Sequence, residues 1–211
     1  PGSLVGSEMC IRDSIMINLL LIINNPVERV NDLAGYIGRN LSICAMGLMV
    51  VVILTQVYFR YVLNNALAWP DEAARFLMLW LAGLMGPIAL RQGSMVAIIG
   101  VQTLLPGLIC KVLVFSLLLV SFTVLIVAVK LGWSHVNSGW LFASSSLKLP
   151  FNLIGMKAIK MKLAWSYMSL FVGFCLMSLV NLELLLRSAI SIFGGESQLK
   201  PINNTEEIKV K

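Results

Sequence analysis

The stretch Leu108-Ile-Cys-Lys-Val-Leu-Val-Phe-Ser-Leu-Leu-Leu-Val-Ser-Phe-Thr-Val-Leu-Ile-Val-Ala-Val129 decides the fold class. Its one charge, Lys111, stands near an end, where a long stem can carry the ammonium group to the membrane interface. A helix over these residues is about 33 Å long at 1.5 Å per residue, enough to cross the roughly 30 Å of bilayer hydrocarbon. Three further runs have the same character. Leu41–Val62 is polar only at Ser42, Thr55, Gln56 and Arg60; 73–90 closes on Arg91; 163–186 carries Asn181 and Glu183 late, with Arg187 just beyond. The 211-residue chain is 58% hydrophobic and 12% charged, with a mean hydropathy of +0.88. A soluble domain is nearer a quarter charged. The sequence therefore predicts an all-α integral membrane protein with four transmembrane helices at about 41–62, 73–90, 108–129 and 163–186, within a membrane domain over 39–190.

The flanking segments read differently. Residues 1–15 show neither helical nor strand periodicity and are set apart as an extension that does not belong to the fold. The apolar run Ile15–Ile23 has the length of a signal-peptide core, but Asn24-Asn25-Pro26 stands where a small-residue cleavage site would be needed. After Pro26, Val27, Val30, Leu33 and Tyr36/Ile37 recur at helical spacing between Glu28, Arg29, Asn31 and Asp32. That pattern predicts an N-terminal amphipathic helix over 16–38, lying in the interface and leading into the first span. Met95–Leu105 is apolar but too short to cross, and is expected at the surface or re-entering partway until Pro106-Gly107 breaks it. Between the last two spans, 136–162 mixes Trp140, Phe142, Phe151 and Ile154 with Lys148, Lys157, Lys160 and Lys162, the composition of a membrane-hugging connection. The polar tail 191–211 is read as disordered.

Several function classes fall away on residue type alone. After Glu72 the next carboxylate is Glu183, so 110 residues offer nothing to a paired-carboxylate active site, an acidic metal cage or a proton relay in the middle spans. One histidine, His135, cannot furnish a histidine-rich metal site and reads as an interface anchor. Cys10, Cys44, Cys110 and Cys175 are scattered without a C-x-x-C, which argues against zinc, an iron–sulfur cluster or a redox pair. No cofactor, metal or catalytic residue is expected. The net charge of +6 is assigned to lysines and arginines meeting anionic headgroups at span ends, with membrane lipid rather than nucleic acid as partner. Glu183 and Arg187, four apart, suit an interfacial ion pair better than a coupling-proton site. Gly83, Gly86 and Pro87 interrupt the second span, and Ala82-x-x-x-Gly86 reads as a small-residue packing step.

The densest group of unusual residues lies across the first connection: Phe59-Arg60-Tyr61-Val62-Leu63-Asn64, then Trp69-Pro70-Asp71-Glu72-Ala73-Ala74-Arg75. Pro70 suits the first turn of a helix, and Asp71 and Glu72 are favoured there by the positive end of the helix dipole. Tyr61 and Trp69 sit where an aromatic belt would lie. Two readings stand: a membrane-interface anchor with a capped helix, or a partner-binding patch. A catalytic role lacks a nucleophile or base.

The ordered string Arg60-Tyr61-x-x-Asn64, Trp69-x-x-Glu72-x-x-Arg75, Trp80, Gly86 and Arg91-x-Gly93 resembles the small membrane subunit (DctQ-type) of tripartite ATP-independent periplasmic, or TRAP, transporters. The resemblance extends over about 30–182, including the Leu149-Pro150 connection before the last span. It implies a small permease subunit in a bacterial inner membrane, both termini cytoplasmic. Its partners would be a large multi-spanning permease subunit, which it scaffolds, and a periplasmic substrate-binding protein, which it helps dock. The implied process is secondary active, sodium-coupled uptake of organic acids, with the substrate site elsewhere and these ten residues, Arg60, Tyr61, Asn64, Trp69, Glu72, Arg75, Trp80, Gly86, Arg91 and Gly93, forming the partner interface. The sequence departs from the family at Met95 and Ile99, which replace a histidine and an aspartate, and at Lys160, which replaces a second proline.

A self-contained four-span transporter is the competing reading, and a membrane redox or assembly protein a weaker one. The first lacks acidic residues in its central spans and the second lacks paired cysteines. Charge does not settle orientation, since nine basic residues fall on the side of the termini and seven on the other.

Overall fold

The computed structural model describes residues 2–65, 69–104, 108–149 and 159–192. They form α1 (Gly2–Tyr61), α2 (Trp69–Leu104), α3 (Leu108–Gly139), a two-stranded ribbon of β1 (Ala143–Leu149) and β2 (Ile159–Lys162), and α4 (Ala164–Ile192). Each long helix contains one segment long and apolar enough to cross a membrane: Leu20–Tyr61, Trp69–Gly93, Ile109–Gly139 and Ala164–Ile192. The four-span, essentially all-helical expectation stands.

Boundaries differ from the sequence reading because helical hydrogen bonding does not stop where hydrocarbon does. α1 runs without a break from Gly2 through Pro26, so the extension and the segment 16–38 are helical and continuous with the first span. Met95–Leu104 is not a separate surface segment but the end of α2; Gly93 and Gly100 are tolerated inside the helix, and the described helix ends just before Pro106-Gly107. The connection after α3 is a structured antiparallel ribbon, with Lys148 opposite Lys160, Leu149 opposite Ile159, and an irregularity between Ala143 and Lys148. The alternation Ile159-Lys160-Met161-Lys162 carries the two-residue strand period that the mixed composition concealed. The tail expected to be disordered lies outside the described residues from 193 onward, as do Pro106, Gly107, Pro150 and Phe151.

Helix burial follows a narrow seven-residue recurrence, the interval at which a helix returns to nearly the same face. On α1, Asn24, Asn31 and Gly38 are buried and Ala45, Val52 and Phe59 half-buried; four residues after each of the first five, Glu28, Gly35, Ser42, Met49 and Gln56 are covered too. On α3 the recurring positions are Leu118, Leu125, Gly132 and Gly139. Many apolar residues elsewhere on α1 are exposed, among them Val30, Leu33, Ile37, Leu41 and Leu54. This is the pattern of helices in lipid, where apolar faces gain nothing by turning inward and small or polar residues mediate contact.

The chain divides into two compact units, one of residues 1–32, 89–123 and 179–211, the other of 33–88 and 124–178. In the first, Leu118, Val180 and Leu184 form a small apolar core with Leu90, Val114 and Leu185. Asn181 Nδ2 donates to Ser121 Oγ at 2.8 Å, and Lys111 Nζ donates to the Ser191 carbonyl at 3.0 Å. In the second, α2 and α4 touch backbone to backbone. A Cβ on Gly83 would lie 2.5 Å from the Ser169 carbonyl oxygen, and one on Gly173 would lie 2.9 Å from Gly83 Cα. Met177 fills the space beside Gly86. The close packing expected in the second span is present, but its members are Gly83 and Gly86; Ala82 is exposed.

Candidate functional site

The first unit concentrates charge where three helices meet. From α1 come Glu28, Asn31 and Asp32, from α2 Arg91, and from α4 Glu183 and Arg187. Helical geometry groups them: 28, 31 and 32 lie within one turn, and 183 and 187 are one turn apart on a single face.

Glu183 is the centre, with a fully buried side chain. Its Oε2 accepts from Asn31 Nδ2 at 2.7 Å, while Oε1 accepts from Arg91 at 2.9 Å and from Arg187 Nε at 3.2 Å. Asn31 also donates to the Leu179 carbonyl at 3.3 Å. Arg91 reaches Asp32 at 2.6 Å, and Arg187 lies 3.4 Å from Glu28. A carboxylate inside a membrane helix is tolerable only when its charge is compensated and its lone pairs are used, and both conditions are met at Glu183.

Among the described residues the cluster brings three carboxylates to two guanidiniums. Chemically it is an acceptor saturated by donors. No group of three or more potential metal ligands occurs among the described residues.

Sequence reasoning anticipated the Glu183–Arg187 pair and placed Arg91 in a partner motif, but not their common partner. Within the segment 16–38, expected as an amphipathic interfacial helix, Asn24 and Asn31 are buried and Glu28 faces Arg187. The available signal was the seven-residue recurrence of Asn24, Asn31 and Gly38, which marks a protein-facing stripe.

The ten motif residues do not gather into one site. Six surround the α1–α2 turn. Arg60 is exposed, with its guanidinium 5.7 Å from the centre of the exposed Tyr61 ring. Asn64 adopts the left-handed conformation, φ 47°, and Asn65 N–H then donates to the Phe59 carbonyl at 3.0 Å. Asparagine is among the few residues that accept that conformation readily, so Asn64 is the helix stop. Trp69 opens α2 half-exposed at 41%, Pro70 is fully buried, and Asp71 accepts from Gln56 Nε2 at 2.9 Å, tying the end of α1 to the start of α2. Glu72 is half-buried and Arg75 exposed.

The other four lie farther along α2. Trp80 packs edge-on against Phe76, Gly86 makes room for Met177, Arg91 belongs to the Glu183 cluster, and Gly93 is exposed with open space around it. His135 is exposed beside Tyr167, and Cys44, Cys110 and Cys175 are free thiols.

Four membrane-length helices, a buried ionic cluster and an exposed aromatic and basic turn define a multi-pass membrane protein. The chain matches the family described as tripartite ATP-independent periplasmic transporters, DctQ component, over residues 49–190, about two thirds of its length, and it belongs to that family. No match is found among curated proteins. The chain is thus a small permease subunit of the TRAP class. Glu28, Asn31 and Asp32 precede the matched region, while Arg91, Glu183 and Arg187 lie inside it.

Proposed function

We propose that this subunit transports nothing alone. It scaffolds the large permease subunit and helps a periplasmic binding protein dock, in sodium-coupled uptake of carboxylates across a bacterial inner membrane. The observation that carries this reading is the contrast in how the chain uses its charged side chains. Arg91, Glu183 and Arg187 are consumed internally, whereas Arg60, Trp69 and Arg75 remain exposed at the α1–α2 turn. An aromatic ring and two guanidiniums within a short stretch suit charge-assisted bonds at the rim of a protein contact. Length supports an interfacial start to α1: 42 continuous residues from Leu20 to Tyr61 make about 63 Å of helix, twice the hydrocarbon thickness.

The test is co-expression of Arg60→Ala and Arg75→Ala with the large subunit and the binding protein, with pull-down and sodium-driven carboxylate uptake measured at matched expression. Reduced recovery or uptake, with normal insertion of this subunit, is expected; full recovery and uptake in both variants would reduce the turn to a lipid anchor. Proteoliposomes containing this subunit alone should show no uptake. Both termini are proposed to be cytoplasmic, so reporter fusions after Asn65 and Ser145 should read periplasmic, and those after Gly100 and Ser197 cytoplasmic.

A further inference from the structure

Within the second unit, α2 carries a seam of open positions that the packing of this chain leaves unused. From 71 to 85 the exposed residues are Asp71, Arg75, Met78, Ala82 and Met85, and every other residue is buried or half-buried. They recur at alternating intervals of four and three, so at about 100° per residue they fall within an arc of about 80°. That alternation is the spacing by which one helix lies along another. Gly83, which meets Gly173 on α4, stands outside the arc.

The seam is not built like the other open faces of the unit. On α1 every exposed residue from 48 to 57 is Leu, Ile or Val, and so on α3 is every exposed residue from 124 to 127. The α2 seam has no Leu, Ile, Val or Phe, although Leu77, Leu79, Leu81 and Leu84 of the same helix are half-buried. Acyl chains gain nothing from a small side chain. A neighbouring helix does, because alanine lets two backbones approach and methionine adapts to the shape pressed against it. The seam therefore has the composition of a helix contact and is left open by its own chain.

Charge selects what covers it. Arg75 makes no ion pair among the described residues, and Asp71, one turn away, already accepts from Gln56. Two copies of this chain share one orientation in a membrane, so a two-fold pair along the seam would set one Arg75 beside the other, like against like. The occupant has instead to bring an acceptor to the Arg75 end. The seam also continues directly from the α1–α2 turn, since the exposed Trp69 opens the same helix and the exposed Arg60 and Tyr61 close α1. A partner bonded at the turn can follow α2 without a break. The family supplies the class of partner, because the chain is one component of a tripartite transporter.

We propose that one transmembrane helix of the large permease subunit docks along Arg75, Met78, Ala82 and Met85. Its backbone comes closest at Ala82, and a carboxylate or free carbonyl oxygen lies opposite Arg75. This docking presupposes the scaffolding role proposed above and gives it a place on the molecule.

The experiment uses the full chain co-expressed with the large subunit, with photoreactive benzoylphenylalanine in place of Met78, Ala82 or Met85. Leu54 and Val127, on the exposed faces of α1 and α3, are the comparison positions. Illumination of the membranes should join the large subunit to positions 78, 82 and 85 and not to 54 or 127. In pull-downs, Ala82→Leu should lower recovery of the large subunit about tenfold, because a longer side chain holds the helices apart. Ala82→Ser should keep recovery, and thermal unfolding of the isolated subunit should be unchanged by Ala82→Leu. Adducts from 54 or 127 with none from the seam would place the large subunit on another face, and adducts at 82 with a second copy or with lipid alone would give the seam another occupant. Either result, or full recovery with Ala82→Leu, overturns the docking and leaves the scaffolding role standing. Failure of the wild-type chain to recover the large subunit overturns both.

Discussion

The Glu183 cluster and the Gly83–Gly173 contact both join α2 to α4, by opposite means. At the cluster, long charged side chains bridge from Arg91 to Glu183, and the helices are held by charge-assisted bonds in a medium where neither ion could remain alone. At Gly83 there are no side chains, and the helices are held by dispersion between backbones that approach until a single Cβ would collide. The first contact fixes partners by charge and needs every member present. The second fixes distance by shape and needs every member absent. Conservative-looking changes should therefore fail in different ways in the two regions.

The largest loss of stability is expected from Glu183→Leu, which removes the carboxylate shared by Arg91 and Arg187 and should cost about 3–5 kcal/mol. Thermal unfolding in detergent reads it. Adding Arg187→Leu to that variant should recover part of the loss, since a stranded ion is worse than none; a double variant less stable than the sum of the singles would contradict the shared-centre picture.

Next in size, Gly83→Ala and Gly173→Ala should each cost about 1–3 kcal/mol, because the new methyl meets backbone that cannot rotate away. Gly47→Ala is the comparison, with nothing within 4 Å of its built Cβ, and should be neutral or stabilising. Equal effects at positions 83 and 47 would refute close packing.

At the α1–α2 turn, Asn64→Val places a β-branched residue in the left-handed conformation and should cost about 1–2 kcal/mol, with Asn64→Gly close to wild type. Smallest of all, Arg75→Ala should change stability by less than about 0.5 kcal/mol while lowering recovery of the large subunit. A large stability loss there would move Arg75 from the partner surface into the fold.

The sequence made some parts of this protein legible and concealed others, residue by residue. The apolar runs alone required four spans, because about twenty consecutive apolar residues have no other stable home than hydrocarbon. Pro70, Asp71 and Glu72 announced the start of α2 for the same local reason that they cap it, and the string from Arg60 to Gly93 pointed to the DctQ component that the family match establishes. These are local properties, fixed by a residue and its near neighbours.

Which faces meet was not local. Asn31 and Glu183 are 152 residues apart in sequence, and nothing in either helix states that one carboxylate will take up Asn31, Arg91 and Arg187 together. Ala82 and Gly83 are adjacent and nearly equal in size, yet only the rotation of α2 against α4 decides that Gly83 meets Gly173 while Ala82 is exposed. In lipid an apolar face has no preference between a neighbouring helix and an acyl chain, so hydrophobicity determines that a helix spans but not which way it turns. Small and polar residues make that second choice, and they can make it only when the other helices are in place.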